Sequence, residues 1–517
     1  MDTTTTRPPT AERGRRRHRP LLATLAAAAC AAAGLLAAPA PAVADDGITV
    51  YLAGDSTVQT YDPYWAPQAG WGQMLDRYLT DDVTVENHAI GGRSSRSFVE
   101  QGRLDAILDE IQPGDYLFVQ FGHNDASVNI PERYTSPEDY KEYLRDDYIA
   151  GARERGAIPV IVTPVSRRSF NAETGRFNVS FPTYVQAATE VAAEENVPLV
   201  DLSASSRAYL DGIGPEEAKS VFLHVPAGVY PNRPNGTVDD THFQEYGAIQ
   251  MARLVAQDVS GLDTPLARHV VNTAPPTKVP AKPAGLTAQT VTNEGARLTW
   301  DPVPGADIYR IQKKEKYAPD AEFTLAATST IPLTDIGGLA EGTAYELRVI
   351  AVNGAGESAP SAKLLTTTRV PDHRYDFGPA GSPVDARFTE VTPATLYTPE
   401  RGYGFADTTG MISRDRGDAL GDVQRDFVAH FGGSYQFSAD VPDGRYAVTA
   451  HVGDLLGTAR SDFSIEGVSH GQLSSSRSVV TRTFSGIEVR DGRLDVVVSG
   501  QTAHLNGLEL TRIGDLP

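Results

Sequence analysis

The chain of 517 residues contains a single cysteine. That residue, Cys30, lies inside an Ala/Leu-rich stretch, not at its end where a lipid-anchored cysteine would be needed. The remainder of the chain therefore has no disulfide, no thiol nucleophile and no thiolate metal site. Positive charge is also scarce: 46 Lys and Arg face 66 Asp and Glu, a formal net charge of −20. Such a chain repels nucleic acid and anionic lipid, so neither a nucleic acid nor a membrane is expected as a partner. It also repels a polyanionic sugar at long range, so an acidic polysaccharide would need local basic contacts. After residue 36 no run approaches the ~18 apolar residues of a membrane span. The sequence has no HExxH, EF-hand loop or P-loop, so no catalytic metal, nucleotide or other cofactor is implied.

The N-terminus is set apart. Arg13, Arg15, Arg16, Arg17 and Arg19 precede the apolar stretch Leu21 to Leu36, and Ala42-Val43-Ala44 is a small-x-small cleavage site before Asp45-Asp46. Residues 1–44 read as a secretory signal, which leads to the expectation of an extracellular protein. The export route is left open.

The remaining length exceeds the ~250–300 residues of a single core, so several domains are expected. Ile48–Gly54, Val83–Ile90, Asp115–Gly122, Ala157–Val165 and Pro198–Ser203 are short apolar runs of strand length. Between them, Gly70–Thr80, Ser95–Ile111, Ser136–Gly156 and Phe181–Val197 carry apolar residues at helical spacing. This alternation predicts an α/β domain over 45–262 whose parallel sheet is covered on both faces. In such sheets ligands bind beyond the carboxyl ends of the strands. A Pro-rich linker is expected over 263–280. From there the pattern is strands only, over 281–369 and again over 370–517.

Gly54-Asp55-Ser56 closes the first strand, where a turn or a nucleophile would fit equally. A serine nucleophile needs a histidine base oriented by a carboxylate. Among His88, His123, His224 and His242, only His242 has an acid at a useful offset, in Asp239-Asp240-Thr241-His242. A separation of three is expected to put Asp239 and His242 on one side of a helical turn, at the start of a helix over Phe243–Val259. Asp240 is the weaker alternative. Backbone N–H groups near Gly92 and the amide of Asn124, each after a further strand, could donate with Ser56 N–H to an oxyanion. Arg93 and Arg96 are candidates either for a sugar carboxylate or for a solvated or salt-bridged role, and His88 and His123 are expected to support the site from behind or to be structural.

Gly54-Asp55-Ser56, Gly92, Gly122-x-Asn124 and Asp239-x-x-His242 resemble, in order, the four blocks of the SGNH (GDSL-like) hydrolases. Gly91-Gly92-Arg93-Ser94, Gln120 to Asp125 and Asp240-Thr241-His242 are similar to the rhamnogalacturonan acetylesterase branch. The resemblance implies a flavodoxin-like three-layer α/β sandwich. It also implies catalytic Ser56, Asp239 and His242, and an oxyanion hole from Ser56, Gly92 and Asn124. The implied activity is removal of acetyl groups from a pectic polysaccharide; the chain itself is expected to be a monomer. An SGNH lipase or phospholipase and a non-catalytic carbohydrate-binding protein are the alternatives. Trp300, Tyr309, Leu339, Tyr345 and Asn353 to Ser358 resemble a fibronectin type III sandwich. The tail from Tyr375-Asp376-Phe377-Gly378 resembles a galactose-binding-like jelly roll, with Tyr397 and Tyr403 as candidate sugar contacts. Gly467-Val468-Ser469-His470-Gly471 fits G-x-S-x-G but lacks a following helix, so it is read as a hairpin loop. Arg416-Gly417-Asp418 is read as a chance tripeptide.

Overall fold

In a computed structural model, residues 47–230, 232–417 and 420–516 are described; the leader with Cys30, and Asp418, lie outside them. The first unit runs β1 (Ile48–Gly54), β2 (Val83–Asn87), α1 (Ser95–Glu100), α2 (Arg103–Glu110), β3 (Tyr116–Gln120), α3 (Pro137–Glu142), β4 (Ile158–Val162), α4 (Pro182–Glu194), β5 (Leu199–Val200), α5 (Leu202–Glu217), β6 (Phe222–Val225), β7 (Thr237–Gln244) and α6 (Glu245–Ser260).

Strands β1 to β5 form one sheet in the order β2-β1-β3-β4-β5, parallel throughout. Alternation along β1 defines the layers. Val50 and Leu52 join a core with Phe118, Val160 and α6 residues Ile249, Ala252 and Val255. Tyr51 and Ala53 join the opposite core with Phe98, Ile107, Tyr148 and Val191. Both faces are covered, as near-continuous apolar strands require. The strand order reverses between β1 and β3, and such a switch point opens a crevice at the carboxyl ends.

Three local differences from the sequence expectation have physical causes. Gly70–Thr80, expected as a helix of ordinary pitch, contains the 3₁₀ segment Trp71–Tyr78. The helix expected over Ser95–Ile111 breaks at Gly102, whose φ of 69° no continuing right-handed helix accepts. Residues 202–217, where only a strand end was anticipated, form α5; the Asp201 carboxylate caps it and Gly214-Pro215 kinks it. Within the Pro-rich stretch, Leu266 is buried and Val271 N donates to Tyr78 O, so this part of the chain packs on the α/β unit.

The second unit is a two-sheet sandwich. Thr287–Val291, Ala296–Thr299 and Leu333–Ile336 face Thr324–Ser329, Ile308–Glu315, Ala344–Asn353, Gly356–Glu357 and Leu364–Thr367. Trp300 and Tyr309 are buried, and Tyr345 Oη accepts from Ala340 N, which ties the corner after Leu339. The third unit is built on long antiparallel strands, Gly444–Ile465 against Val468–Val489, with His373–Phe377 and Gly507–Gly514 alongside. The hairpin turn between the two long strands is only Glu466-Gly467; Val468 to Gly471, expected as loop, already pair in the second strand, Val468 with Ile465 and Gly471 with Phe463. The α/β unit meets the sandwich through Tyr230 Oη to Thr328 Oγ1 (2.8 Å) and Gln250 Nε2 to Asp307 Oδ2 (3.0 Å). No helix among the described residues is long and apolar enough to cross a membrane.

Candidate active site

The loop after β1 turns sharply. Val58 N and Gln59 N both donate to Asp55 O (3.1 Å each), and Thr57 N donates to Asp55 Oδ1 at 2.8 Å. A Cβ on Gly54 would meet Val58 Cγ2 at 2.6 Å, so the close turn requires glycine there. Asp55 and Thr57 are fully buried, which leaves Ser56 between them partly exposed. Thr57 Oγ1 donates to Asp55 Oδ1 and accepts from Gln120 Nε2, whose Oε1 accepts from Trp71. That relay locks the turn onto β3. Burial opposes ionisation of Asp55, yet His123 and the Thr57 donors hold its pKa below the ordinary value. His123 Nδ1 lies 3.4 Å from Asp55 Oδ2.

Ser56 Oγ is 2.9 Å from His242 Nε2, and His242 Nδ1 is 2.7 Å from Asp239 Oδ2. A carboxylate only accepts, so Nδ1 carries the proton and donates to Asp239. Nε2 is then free to accept from the Ser56 hydroxyl. Asp239 Oδ1 accepts Thr241 N (2.7 Å) and His242 N (3.0 Å). Burial works against the Asp239 charge, but the bonds from the His242 side chain and backbone outweigh it, so its pKa is held well below the carboxylate range.

The local reason for this contact differs from the expected helical turn. Asp239 and His242 lie on strand β7, at a register shift against β6 between Asp239 and Phe243. The bulge folds the chain back so that a carboxylate reaches a ring three residues on. Helix α6 begins only at Glu245. Asp240 points elsewhere: its Oδ1 meets His224 Nε2 at 2.7 Å and Arg168 Nη1 at 3.1 Å.

Two further loops complete the rim. Gly92, after β2, has φ 79°, a left-handed conformation suited to glycine. Asn124, after β3, donates through Nδ2 to Arg93 O (2.9 Å) and accepts at Oδ1 from Arg133 Nη1 (2.8 Å). Arginine can only donate, so this pair fixes the amide's orientation and leaves one Nδ2 hydrogen unused. Among the described residues, Ser56 N–H and Gly92 N–H have no protein acceptor. Buried Asp125 ties the two loops together, accepting from Ser95 N, Ser95 Oγ and Gly122 N. Burial pushes its carboxyl up to about 6.

These loops enclose an open cavity of 520 Å³ lined by Ser56, Gly91, Gly92, His123, Asn124, Arg133, Arg167, Phe181, Thr241 and His242, among others. Of the five residues singled out from the sequence, Ser56, Gly92, Asn124 and His242 line it, and Asp239 stands behind His242. Arg93 and Arg96 do not line it: Arg93 bonds Gln101 and Gly91 O, and Arg96 bonds Pro131 O. Arg133 and Arg167 line it instead. His88 packs near Tyr51, away from the cavity. Tyr397 Oη donates to Asp440, and Tyr403 packs on Tyr375, both in the third unit.

Comparison with known proteins follows the same three divisions. Residues 50–255 match the GDSL-like Lipase/Acylhydrolase family, 281–367 the fibronectin type III domain, and 373–510 the beta-agarase/YXIM esterase-like, galactose-binding domain-like family. "Probable rhamnogalacturonan acetylesterase YesY" of Bacillus subtilis is 50% identical over 223 residues, 43% of this chain and 97% of that protein. Rhamnogalacturonan acetylesterase RhgT of the same organism is 44% identical over 225 residues, 44% of this chain and 95% of the relative. The crystal structure of B. subtilis YxiM is 35% identical with a TM-score of 0.37, covering 42% of this chain and 58% of its own.

Proposed function

The chain belongs to the GDSL-like lipase/acylhydrolase family, and from that membership and the site's geometry we propose that it is a secreted carbohydrate acetylesterase acting on an acetylated pectic polysaccharide of the rhamnogalacturonan type. Ser56 is the nucleophile, His242 the general base and Asp239 the carboxylate that orients it. The observation that carries this reading is the continuous chain Ser56 Oγ–His242 Nε2 (2.9 Å) and His242 Nδ1–Asp239 Oδ2 (2.7 Å) at the mouth of a cavity.

In the first half-reaction Ser56 Oγ forms a bond to the acetyl carbonyl carbon while its proton passes to His242 Nε2. The ionised Asp239 stabilises the imidazolium that results. Negative charge develops on the carbonyl oxygen, within reach of Ser56 N–H, Gly92 N–H and the unused Asn124 Nδ2 hydrogen. Collapse breaks the ester C–O bond, and His242 returns the proton to the departing sugar oxygen. Water, deprotonated by His242, then attacks the acetyl-serine; acetate leaves and Ser56 recovers its proton.

Two features favour a pectic sugar. The curated relatives matched over nearly their whole length are named rhamnogalacturonan acetylesterases. The charged residues lining the cavity are Arg133 and Arg167, with no carboxylate among them, in a chain of net charge −20. Local cations of this kind answer the long-range repulsion of an acidic glycan. The N-terminal leader pattern supports secretion. Acetate release from acetylated rhamnogalacturonan, beside acetylated xylan, tests the reading. The native enzyme is expected to release acetate preferentially from the pectic substrate, and Ser56→Ala to lose the activity. A preference for long-chain over acetyl p-nitrophenyl esters would instead indicate a lipase.

A further inference from the structure

Arg133 stands nearer the reacting groups than attraction of an acidic glycan requires. It is half-buried in the cavity wall, and its Nη1 donates to Asn124 Oδ1 at 2.8 Å. The same nitrogen lies beside Gly92, 3.9 Å from where a Cβ on that residue would stand. One guanidinium thus adjoins two of the three residues that supply oxyanion donors. No carboxylate lines the cavity beside it.

The loop that joins Asn124 to Arg133 is closed by its own backbone. Arg133 N and Tyr134 N both donate to Ile130 O, at 3.1 and 2.9 Å, and Thr135 N donates to Asp125 O at 3.1 Å. That closure sets the two side chains against each other. Asn124 Nδ2 is anchored on Arg93 O at 2.9 Å. One anchor alone would let the amide swing about the contact. A second contact, on Oδ1, fixes the amide plane and with it the direction of the unused Nδ2 hydrogen. The second contact is also charge-assisted, and so among the stronger kinds of hydrogen bond. Bonds in series polarise one another: a cation on Oδ1 draws density from the amide and makes the unused hydrogen a better donor.

We propose, resting on the assignment of Asn124 to the oxyanion hole, that Arg133 is a positioning residue for ester hydrolysis: it orients and polarises the Asn124 amide so that the free hydrogen meets the developing charge. The guanidinium acts through Asn124, so most of its effect vanishes when that amide is absent. A grip on a sugar carboxylate would act on the substrate directly and would survive the loss of Asn124.

The test is a double-mutant cycle on the full chain with p-nitrophenyl acetate, a neutral ester that offers no carboxylate to grip. Arg133→Ala should lower kcat ~10–100-fold, a share of the ~10²–10³ that a whole oxyanion donor supplies, with KM within a few-fold. In the Asn124→Ala background the same change should cost less than ~3-fold, the non-additivity expected of two residues acting as one. Arg133→Lys, which keeps the charge and a donor, should recover part of the loss. Guanidinium chloride at millimolar levels, against sodium chloride at equal ionic strength, should restore part of kcat in Arg133→Ala, which a fault of packing alone would not allow. Should Arg133→Ala fail to fold, Arg133→Gln replaces it in the cycle. A large loss in Asn124→Ala beside native kcat in Arg133→Ala would overturn the proposal alone, and so would losses that simply add. An Asn124→Ala chain as active as the native one would overturn the oxyanion assignment and the proposal with it.

Discussion

Asp239→Asn isolates the part of the site that depends on proton position. In the native chain Oδ1 accepts two backbone N–H groups and Oδ2 accepts His242 Nδ1–H. An asparagine keeps its oxygen on the two backbone donors, since flipping the amide would set NH₂ against both. Its NH₂ then faces Nδ1. His242 is forced to accept there, its proton moves to Nε2, and Nε2–H can no longer take the Ser56 proton across 2.9 Å. Restoring the productive tautomer leaves two facing donors unpaired, at roughly 1–3 kcal/mol each. At 1.36 kcal/mol per decade, that is roughly two to four decades of rate; with the lost charge stabilisation of the imidazolium, a fall in kcat near ~10⁴ is expected. KM should stay within a few-fold, because Asp239 does not line the cavity. Steady-state hydrolysis of p-nitrophenyl acetate measures both constants, with a circular-dichroism melt to verify folding. A folded variant retaining more than a tenth of native kcat would refute the reasoning.

Other changes test separate parts. Asn124→Ala removes one oxyanion donor and should cost ~10²–10³ in kcat with the melting temperature little changed; a loss confined to KM would count against that role. Gly247→Ala places a Cβ 1.9 Å from Val221 O beneath the start of α6. Overpacking of that kind destabilises by about 1–3 kcal/mol, to be read as an earlier denaturant midpoint. Burial pushes Glu245, at the contact with the sandwich, from 4.5 up to about 7. A carboxyl raised in the fold stabilises it fully below its ordinary pKa and loses that contribution as pH rises through about 7. The native melting temperature should therefore fall more steeply between pH 5 and 8 than that of Glu245→Gln; parallel slopes would contradict the assignment.

Much of the α/β unit was legible because its strands are buried on both faces. Runs such as Ile48–Gly54 and Tyr116–Gln120 are apolar almost throughout, and each is followed by glycine-bearing loops that end at Ser56 and Asn124. Residues far apart in sequence converge because parallel strands place their carboxyl ends on one edge. The hairpin β6–β7 was not anticipated, since Asp239 to His242 is polar and carries no period-2 alternation; its bulge appears only once β6 is paired. The cavity arginines were missed for a related reason. Arg133 lies in an irregular loop that Tyr184 Oη clamps at Asp125 O and Thr135 O. No local pattern marks such a residue, whereas Arg93, adjacent to the glycine motif, bonds back to Gly91 O instead.

The central claim is that one hydroxyl, activated by His242, attacks the ester. Reaction with a fluorophosphonate followed by peptide mass spectrometry tests it most directly. A single adduct on Ser56, slowed by orders of magnitude in His242→Ala, is the expected result. An adduct on another serine, or equal labelling of Ser56 without His242, would contradict it.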